Sequence, residues 1–261
     1  MQIPFVKAHG AGNDFLMTWN GDAPFTPDLA RAICDRHTGP GADGWMLVTR
    51  RPPAIRLLNS DGSEPELSGN GTRCAAALLV REGVAESELT IETGAGPKHL
   101  RLISRDGLQF LFEMNMGTPR VLDAACQLPL STGMQAVTLV DVGNPQCVVL
   151  VDHFDFDWRA MGAEIERHAR FPNRTNVSFV RRAGTHSIDV RFFERGAGET
   201  MSSGTGSTGA ACAALHHGLV TSPVQVQTPA GPLELRQTGD ALYLTGPAVV
   251  IADGVFHYHG L

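Results

Sequence analysis

The sequence predicts an α+β protein built from two pseudo-symmetric halves. Residues 55–101 align without a gap on residues 190–236, at an offset of 135 (190 − 55), with 15 identities in 47 positions. Each copy runs from a β-rich segment through a glycine-rich loop into an alanine-rich helix and then into short strands. One offset of about half the chain indicates two halves rather than a solenoid, which stacks several repeats of about 20 to 45 residues.

The elements of the two halves are predicted in the same order. Helices end at glycines, which favour the left-handed conformation of a C-cap, and glycine–proline segments such as TGAGP and TPAGP form turns between strands. In the first half we expect a helix over 26–36, a strand over 54–59, a helix over 71–82 and strands over 89–92, 99–104 and 108–113. In the second half we expect the matching elements over 158–167, 188–194, 206–217, 224–227, 233–237 and 241–244.

The predicted boundary between the halves lies near Gly117–Arg120. The first half then covers residues 1–118 and the second covers 119–247. The tail exceeds what the second half needs, so a strand over 248–261 is expected to pair back onto the first half.

Composition excludes several classes of protein. The chain has 261 residues, 43% of them hydrophobic and 18% charged, with a formal net charge of −6. These values argue against disorder, against nucleic-acid binding and against a polybasic membrane protein. No apolar run reaches the roughly 18 residues of a membrane span, and the first residues do not resemble a signal peptide. We therefore expect a cytoplasmic protein with no membrane partner.

Cysteine and histidine spacing gives no sign of a metal site or a disulfide framework. Five cysteines are scattered without a CxxC pair, which predicts buried thiols in a reducing compartment. His257 and His259 are spaced like metal ligands, but no cysteine or carboxylate lies near them, so a strand edge is favoured. No metal and no cofactor are expected.

The repeated loops are the first candidate site. Ser68-Gly69-Asn70-Gly71-Thr72 and Ser203-Gly204-Thr205-Gly206-Ser207 each place a serine and two glycines at a helix start. Such helix starts bind carboxylates or phosphates, although serine is also an ordinary N-cap residue. No GK[ST] follows either loop, which argues against a nucleotide P-loop. Nearby Asn, Asp, Glu and Arg residues are either turn formers or groups that fix a zwitterionic ligand such as an amino acid.

Several segments resemble the diaminopimelate epimerase family. HGAGNDF, GPGADG, NSDGSEPELSGNGTRCAA, GNPQCV, FPNRTNVSFV and ERGAGETMSSGTG occur in the family's order along nearly the whole chain. The resemblance implies two halves, each a β-barrel-like sheet around a central helix, with the active site between them. It also implies cofactor-free inversion at an amino-acid α-carbon by two cysteines, one on each face.

Three residues depart from the family pattern at the implied catalytic positions. Ser68 and Ser203 stand where the family has its cysteines, and Gln146 stands where the family has a histidine that supports the first cysteine. Glu194 resembles the carboxylate that partners the second cysteine. Serine is far less acidic than cysteine and needs a strong base beside it, which Gln146 cannot supply.

The rest of the implied ligand-binding pattern is present. The resemblance assigns substrate contacts to side chains in both halves and carboxylate binding to backbone N–H groups in the two loops. The side chains are those of Asn13, Asn59, Asn144, Asn176, Glu194 and Arg195, and the loop residues are Gly69, Asn70, Gly204 and Thr205. Asn176 and Arg195 imply recognition of a second polar end of the substrate.

These residues leave three functions open. The first is an amino-acid epimerase or racemase, with the conversion of LL- to meso-diaminopimelate in lysine biosynthesis as its leading reaction. The second is a related proton-transfer isomerase or dehydratase that uses Glu194 with one serine, and the third is a non-catalytic amino-acid-binding protein. In each case the partner is a small amino-acid-like molecule, and a homodimer is compatible with the sequence.

Overall fold

The computed structural model describes residues 1–65 and 67–259. The chain divides into two compact units. One comprises Met1–Met114 together with the chain from Gly246 onwards, and the other comprises Asn115–Thr245. The last two residues of the predicted strand over 248–261 lie outside the described part of the chain.

The first unit is an eight-stranded barrel around a buried helix. Its elements are β1 (Gln2–Gly10), β2 (Asn13–Trp19), α1 (Pro27–Cys34), β3 (Gly44–Thr49), β4 (Ala54–Asn59), α2 (Gly69–Arg81), β5 (Glu88–Thr93), β6 (Gly96–Asp106) and β7 (Gln109–Asn115). The strands follow one another in sequence order, β7 pairs with β16 (Ala241–His257), and β16 pairs antiparallel with β1, which closes the ring. Every α2 residue from Gly69 to Val80 is buried, so α2 is the central helix.

The second unit repeats this plan. Its elements are β8 (Arg120–Leu130), β9 (Gly133–Asp141), β10 (Pro145–Leu150), α3 (Trp158–Glu166), β11 (Asn176–Gly184), β12 (Ser187–Glu194), β13 (Gly198–Thr200), α4 (Gly204–His216), β14 (Val224–Thr228) and β15 (Gly231–Thr238). The strand order is β15-β14-β12-β11-β10-β9-β8, with β13 beside β12 and the start of β16 beside β15. Helix α4 contacts β8, β9, β10, β11, β12, β14 and β15 and is buried almost throughout.

The predicted central helices and the predicted fold class are confirmed, with shifted helix starts. Both helices begin two residues earlier than predicted, at Gly69 and Gly204, because the serine before each glycine is the N-cap. Gly83 and Gly218 follow the helices with φ values of 68° and 66°, the left-handed conformation expected after a C-cap. The two glycine–proline turns join β5 to β6 and β14 to β15 as expected.

Helices α1 and α3 cover the outside of the sheets. Thr26 and Asp157 cap them, and their buried faces join two apolar clusters outside the barrels. In the first unit Trp45 and Ile33 are fully buried in this layer, and in the second unit Phe179 and Ile165 are. Helix α1 packs on β3 and β4, and α3 packs mainly on β11 and β12.

Two sequence predictions need correction. The strands predicted over 241–244 and 248–261 are, within the described residues, one strand, β16, in which buried residues alternate from Leu242 to Val250 across the glycine–proline pair. The cysteines are all free, but Cys212 is only half-buried, whereas the other four are buried as predicted. Within the described residues, no helix is long and apolar enough to cross a membrane.

Candidate active site

The N-terminus of α2 is built around the Ser68 hydroxyl group. Ser68 has extended backbone angles (φ −123°, ψ 113°), and its Oγ accepts a hydrogen bond from the Gly71 N–H at 3.0 Å. Ser68 also borders a cavity of about 240 Å³ whose wall includes Leu57, Glu64 and Thr93. The first N–H groups of a helix have no partner within the helix and carry the positive end of its dipole. This end of α2 is therefore suited to binding an anion.

The N-terminus of α4 has the same construction. Ser203 is extended (φ −138°, ψ 123°), and its Oγ accepts a hydrogen bond from the Gly206 N–H at 3.0 Å. A Cβ atom on Gly206 would lie only 2.8 Å from a ring carbon of Phe192, so this position requires glycine. Ser203 and Thr205 are buried at 4% and 6% exposure. The structure therefore gives both predicted serines an equivalent place as helix N-caps.

Replacing either serine should separate its capping role from its chemical role. Ser203→Ala removes the acceptor for the Gly206 N–H and should lower the free energy of unfolding by about 1 kcal/mol. Ser203→Asn should leave stability nearly unchanged because asparagine is an equally good N-cap. Urea denaturation measures both values, and the same comparison applies to Ser68. Equal losses in the alanine and asparagine variants would contradict the capping role.

Five predicted site residues of the second unit form two linked groups. Gln146 Nε2 donates to Asn144 Oδ1 at 2.8 Å, and Asn144 Nδ2 lies 3.4 Å from Thr205 Oγ1. Asn176 Nδ2 donates a hydrogen bond to the carbonyl oxygen of Pro145, the residue between Asn144 and Gln146, at 3.0 Å. Asn176 Oδ1 accepts a hydrogen bond from the Arg195 N–H at 3.1 Å. The backbone of β10 thus connects the start of α4 to the end of β12, where Glu194 is the last strand residue.

Gln146 is an unusual member of this group. Its side chain is buried at 2% exposure, and its Oε1 has no hydrogen-bond partner among the described residues. It packs on α4 at Gly209, where an added Cβ would lie 3.0 Å from Gln146 Cβ and Cγ. The absence of a side chain at Gly209 therefore makes room for Gln146.

Glu166 is a functional candidate that the sequence analysis missed. Its carboxylate is 2% exposed and accepts hydrogen bonds from the backbone N–H of Gly196 at 3.1 Å, from Arg174 Nη1 at 3.2 Å and from Arg167 Nε at 3.2 Å. Gly196 directly follows Arg195, so Glu166 anchors the turn that carries Glu194 and Arg195. A carboxylate on the apolar face of the predicted 158–167 helix was the signal available in the sequence.

The first unit holds a chain of polar contacts that starts at α2. Asn70 Nδ2 donates to Asn13 Oδ1 at 3.3 Å, and Asn13 Nδ2 donates to Asp43 Oδ2 at 2.7 Å. Asn59 pairs with Gly44 between β3 and β4, but its side chain donates to Ser63 Oγ at 2.9 Å rather than to Asn13. Asn13 and Asn70 are therefore joined directly, whereas Asn59 is tied to its own loop.

Asp14 and its basic neighbours hold the Asn13 turn in place. Arg36 makes two hydrogen bonds to Asp14, at 3.2 and 2.7 Å, and Lys7 Nζ lies 3.1 Å from Asp14 Oδ2. Burial alone raises the pKa of Asp14, but hydrogen bonds and charge from Arg36 and Lys7 outweigh it and lower that pKa below its usual value. Asp14 therefore favours the native state only while it is ionised.

The variant Asp14→Asn should show this contribution as a pH-dependent loss of stability. At pH 7 we expect a loss of about 2 kcal/mol, the usual scale for hydrogen bonds to a charged group. The difference from wild type should be complete above the unfolded-state pKa of about 4 and should shrink as the pH falls through the lower native pKa. Urea unfolding of wild type and variant at pH 7 and at a pH below about 4 measures this difference in the free energy of unfolding. Asp28→Asn is the control, because Asp28 forms an exposed ion pair with Arg31. A difference in stability between wild type and Asp14→Asn that does not change with pH would contradict the prediction.

Comparison with known proteins decides the family. A family model described as diaminopimelate epimerase matches residues 5–122 and 138–251. The chain belongs to the diaminopimelate epimerase family. A relative from Pelotomaculum thermopropionicum named diaminopimelate epimerase is 37% identical over 276 residues, covering 97% of this chain and 99% of the relative. One from Azoarcus sp. with the same name is 38% identical over 278 residues, covering 97% and 98%.

Solved structures agree with the fold of this family. A probable proline racemase from Agrobacterium radiobacter has a TM-score of 0.74 at 18% identity, covering 97% of this chain and 92% of that one. A Bacillus anthracis phenazine biosynthesis protein of the PhzF family also has a TM-score of 0.74, at 15% identity, covering 98% and 99%. The diaminopimelate epimerase fold of two barrel-like halves, each with a central helix, is therefore confirmed.

Proposed function

We propose that this member of the diaminopimelate epimerase family is a cofactor-independent isomerase that inverts an amino-acid α-carbon. The observation that carries the proposal is the matching pair of helix N-termini, each with a serine hydroxyl held at 3.0 Å by the third N–H group of its helix. The leading reaction is the conversion of LL- to meso-diaminopimelate, a step of lysine biosynthesis in the cytoplasm.

The proposed chemistry needs one base and one acid. Bound to helix N–H groups, the substrate carboxylate can accept the electron pair released when the Cα–H bond breaks. In this scheme Glu194 takes the Ser203 proton so that the Ser203 oxygen can accept the α-proton, and the Ser68 hydroxyl returns a proton to the other face. The Ser68 alkoxide then regains a proton from water, and Glu194 gives its proton to water. Microscopic reversibility requires the roles to exchange in the reverse direction.

The remaining site residues would recognise the ends of the substrate. Gly69, Asn70, Gly204 and Thr205 are assigned to the α-carboxylate, and Asn13, Asn59 and Asn144 to the groups around the α-carbon. Asn176 and Arg195 are assigned to a distal polar end, which supports a two-ended amino acid such as diaminopimelate. A small-molecule partner, no nucleic-acid partner and a homodimer complete the proposal.

Proton exchange in D₂O tests the proposal directly. The protein is incubated with LL- or meso-diaminopimelate and with other amino acids between about pH 6 and pH 9, where general acid–base groups titrate. Loss of the Cα–H signal by NMR with formation of the inverted isomer is the expected result. Ser68→Asn and Ser203→Asn, which keep the caps but remove the hydroxyl groups, should each abolish formation of the inverted isomer in a folded protein.

The alternatives give different products. Loss of water or a shifted double bond would indicate the related isomerase or dehydratase, which Gln146 favours because it cannot act as a base. Binding without exchange would indicate an amino-acid-binding protein. Absence of exchange with every amino acid over the whole pH range would overturn the epimerase proposal.

A further inference from the structure

Helix α2 contains an arginine that the proposed chemistry has not used. Arg73 is the fifth residue of the helix, which begins at Gly69, and its side chain is fully buried (0% exposure). The repeat places Thr208 at the equivalent position of α4, where its Oγ1 donates to the Gly204 carbonyl oxygen at 2.8 Å. The two otherwise similar helices therefore differ by one buried positive charge.

The Arg73 guanidinium group donates hydrogen bonds to three neutral oxygen atoms. Nη1 donates to the Gly69 carbonyl oxygen at 3.2 Å, Nη2 to Asn70 Oδ1 at 2.5 Å and Nε to the Pro247 carbonyl oxygen at 3.3 Å. Among the described residues no carboxylate forms an ion pair with it. Burial lowers the pKa of Arg73 to about 10, which still leaves it charged near pH 7.

A buried charge without a counter-charge is unfavourable. Removing an ion from water is unfavourable even after the protein relaxes around it, and neutral hydrogen bonds recover only part of the lost solvation. An anion placed nearby would recover more of it. Side chains of a helix lean towards its N-terminus, and the contacts with Gly69 and Asn70 place the guanidinium group beneath the first turn of α2.

We propose that Arg73 is a positioning residue that supplies the counter-charge for the substrate carboxylate at the N-terminus of α2. It acts through Gly69 and Asn70 and does not touch the substrate. When the Cα–H bond breaks, the proton passes to the enzyme base and the electron pair moves into the carboxylate, whose negative charge increases. A fixed cation beneath the first turn stabilises that state more than the bound ground state.

This inference rests on the proposed function and predicts unequal roles for the two helices. The hydrogen bond to Asn70 also connects Arg73 to the chain of polar contacts through Asn13 to Asp43. Arg73 therefore fixes the Asn70 amide, so that its oxygen faces the cation and its nitrogen faces Asn13. The equivalent residue of α4, Thr208, carries no charge, so α4 lacks this counter-charge beneath its first turn.

Two variants at position 73 test the charge. Arg73→Met removes the positive charge, and Arg73→Lys keeps the charge with fewer hydrogen-bond donors. Arg81→Met is the matched control, because Arg81 also lies on α2 but already pairs with Asp253 and Glu82. We expect Arg73→Met to lower kcat for α-proton exchange by at least about 100-fold while KM changes less than about tenfold. Arg73→Lys should retain more exchange, and the control should match wild type. A folded Arg73→Met protein with wild-type kcat would overturn the inference.

A spectroscopic measurement keeps the inference testable if the epimerase proposal fails or if Arg73→Met does not fold. In protein labelled with ¹⁵N-arginine, the Arg73 Nε resonance is assigned by its loss in Arg73→Lys. It should shift when meso-diaminopimelate or lysine is added, since both carry an α-carboxylate, and not when 1,5-diaminopentane is added. If the Arg73 Nε resonance of the wild type shifts but no α-proton exchange occurs, the epimerase proposal alone is refuted. No shift with either carboxylate would overturn the role of Arg73.

Discussion

Changing Ser68 and Ser203 to cysteine together with Gln146 to histidine should raise the rate of α-proton exchange by at least about 100-fold. A free thiol has a pKa of about 8.5, and a helix N-terminus can lower it into the range of about 3.5 to 7.5. A serine hydroxyl is far less acidic and depends on a neighbouring base. The triple variant therefore supplies a thiolate as base and a thiol as acid where wild type has two neutral hydroxyl groups.

The structure indicates that both sites can accept sulfur. Each serine oxygen lies 3.0 Å from the N–H of a glycine, so no Cβ of that residue crowds the larger atom, and a thiolate there would receive the same hydrogen bond. At position 146, Gly209 leaves room beside the side chain for a ring. Histidine there would also replace an amide whose Oε1 has no partner among the described residues.

Exchange in D₂O and titration of the new thiols by ultraviolet absorbance measure the two parts of this prediction. The double cysteine variant that retains Gln146 is the control for the histidine, and it should show a smaller gain. Burial raises the pKa values of Cys34 and Cys74 to about 12 and also raises those of Cys147 and Cys212, so these four native thiols do not obscure the titration near neutral pH. A folded triple variant with ionised thiols and no gain in exchange would mean that the pocket itself has changed.

The sequence predicts correctly those parts of the fold that short residue patterns specify and that occur in both halves. The repeat, the glycines after both central helices and the two glycine–proline turns all predicted elements that the structure contains. The helix starts were misplaced because glycine is a poor helix former, whereas Ser68 and Ser203 act as caps that draw Gly69 and Gly204 into the helices. The long strand β16 was divided because Gly246 and Pro247 look like a turn, although pairing on its neighbours keeps the strand extended.

The site shows a similar limit. Motifs located Asn13, Asn70, Asn144 and Asn176, and the structure joins each of them to other site residues. Motifs did not reveal Arg73 or Glu166. Arg73 gives no local sign of being fully buried, and the one sign for Glu166 was its place on the apolar face of its helix. Their roles depend on contacts with Gly69 and Gly196 that only the folded chain creates.

Removing the carboxylate of Glu166 should have the largest effect on stability among the site residues of the second unit. Glu166→Ala is expected to lower the free energy of unfolding by about 2 kcal/mol, the scale for losing hydrogen bonds to a buried charged group and leaving a donor without its acceptor. Arg167 and Arg174 would lose their common counter-charge, and the Gly196 N–H would lose its acceptor. Glu166→Gln should cost less, because an amide oxygen can still accept from Gly196.

The same change should also weaken substrate binding, because Gly196 belongs to the turn that carries Glu194 and Arg195. If Glu166 fixes that turn, the affinity for meso-diaminopimelate should fall at least about tenfold in Glu166→Ala, equal to about 1.4 kcal/mol. Urea unfolding and ligand titration measure the two effects. Glu164→Gln is the matched control, because Glu164 lies on the same helix in an exposed contact with Ser131 and should change stability by less than about 1 kcal/mol. A destabilised Glu166→Ala protein that binds with wild-type affinity would show that Glu166 supports the fold without positioning Arg195.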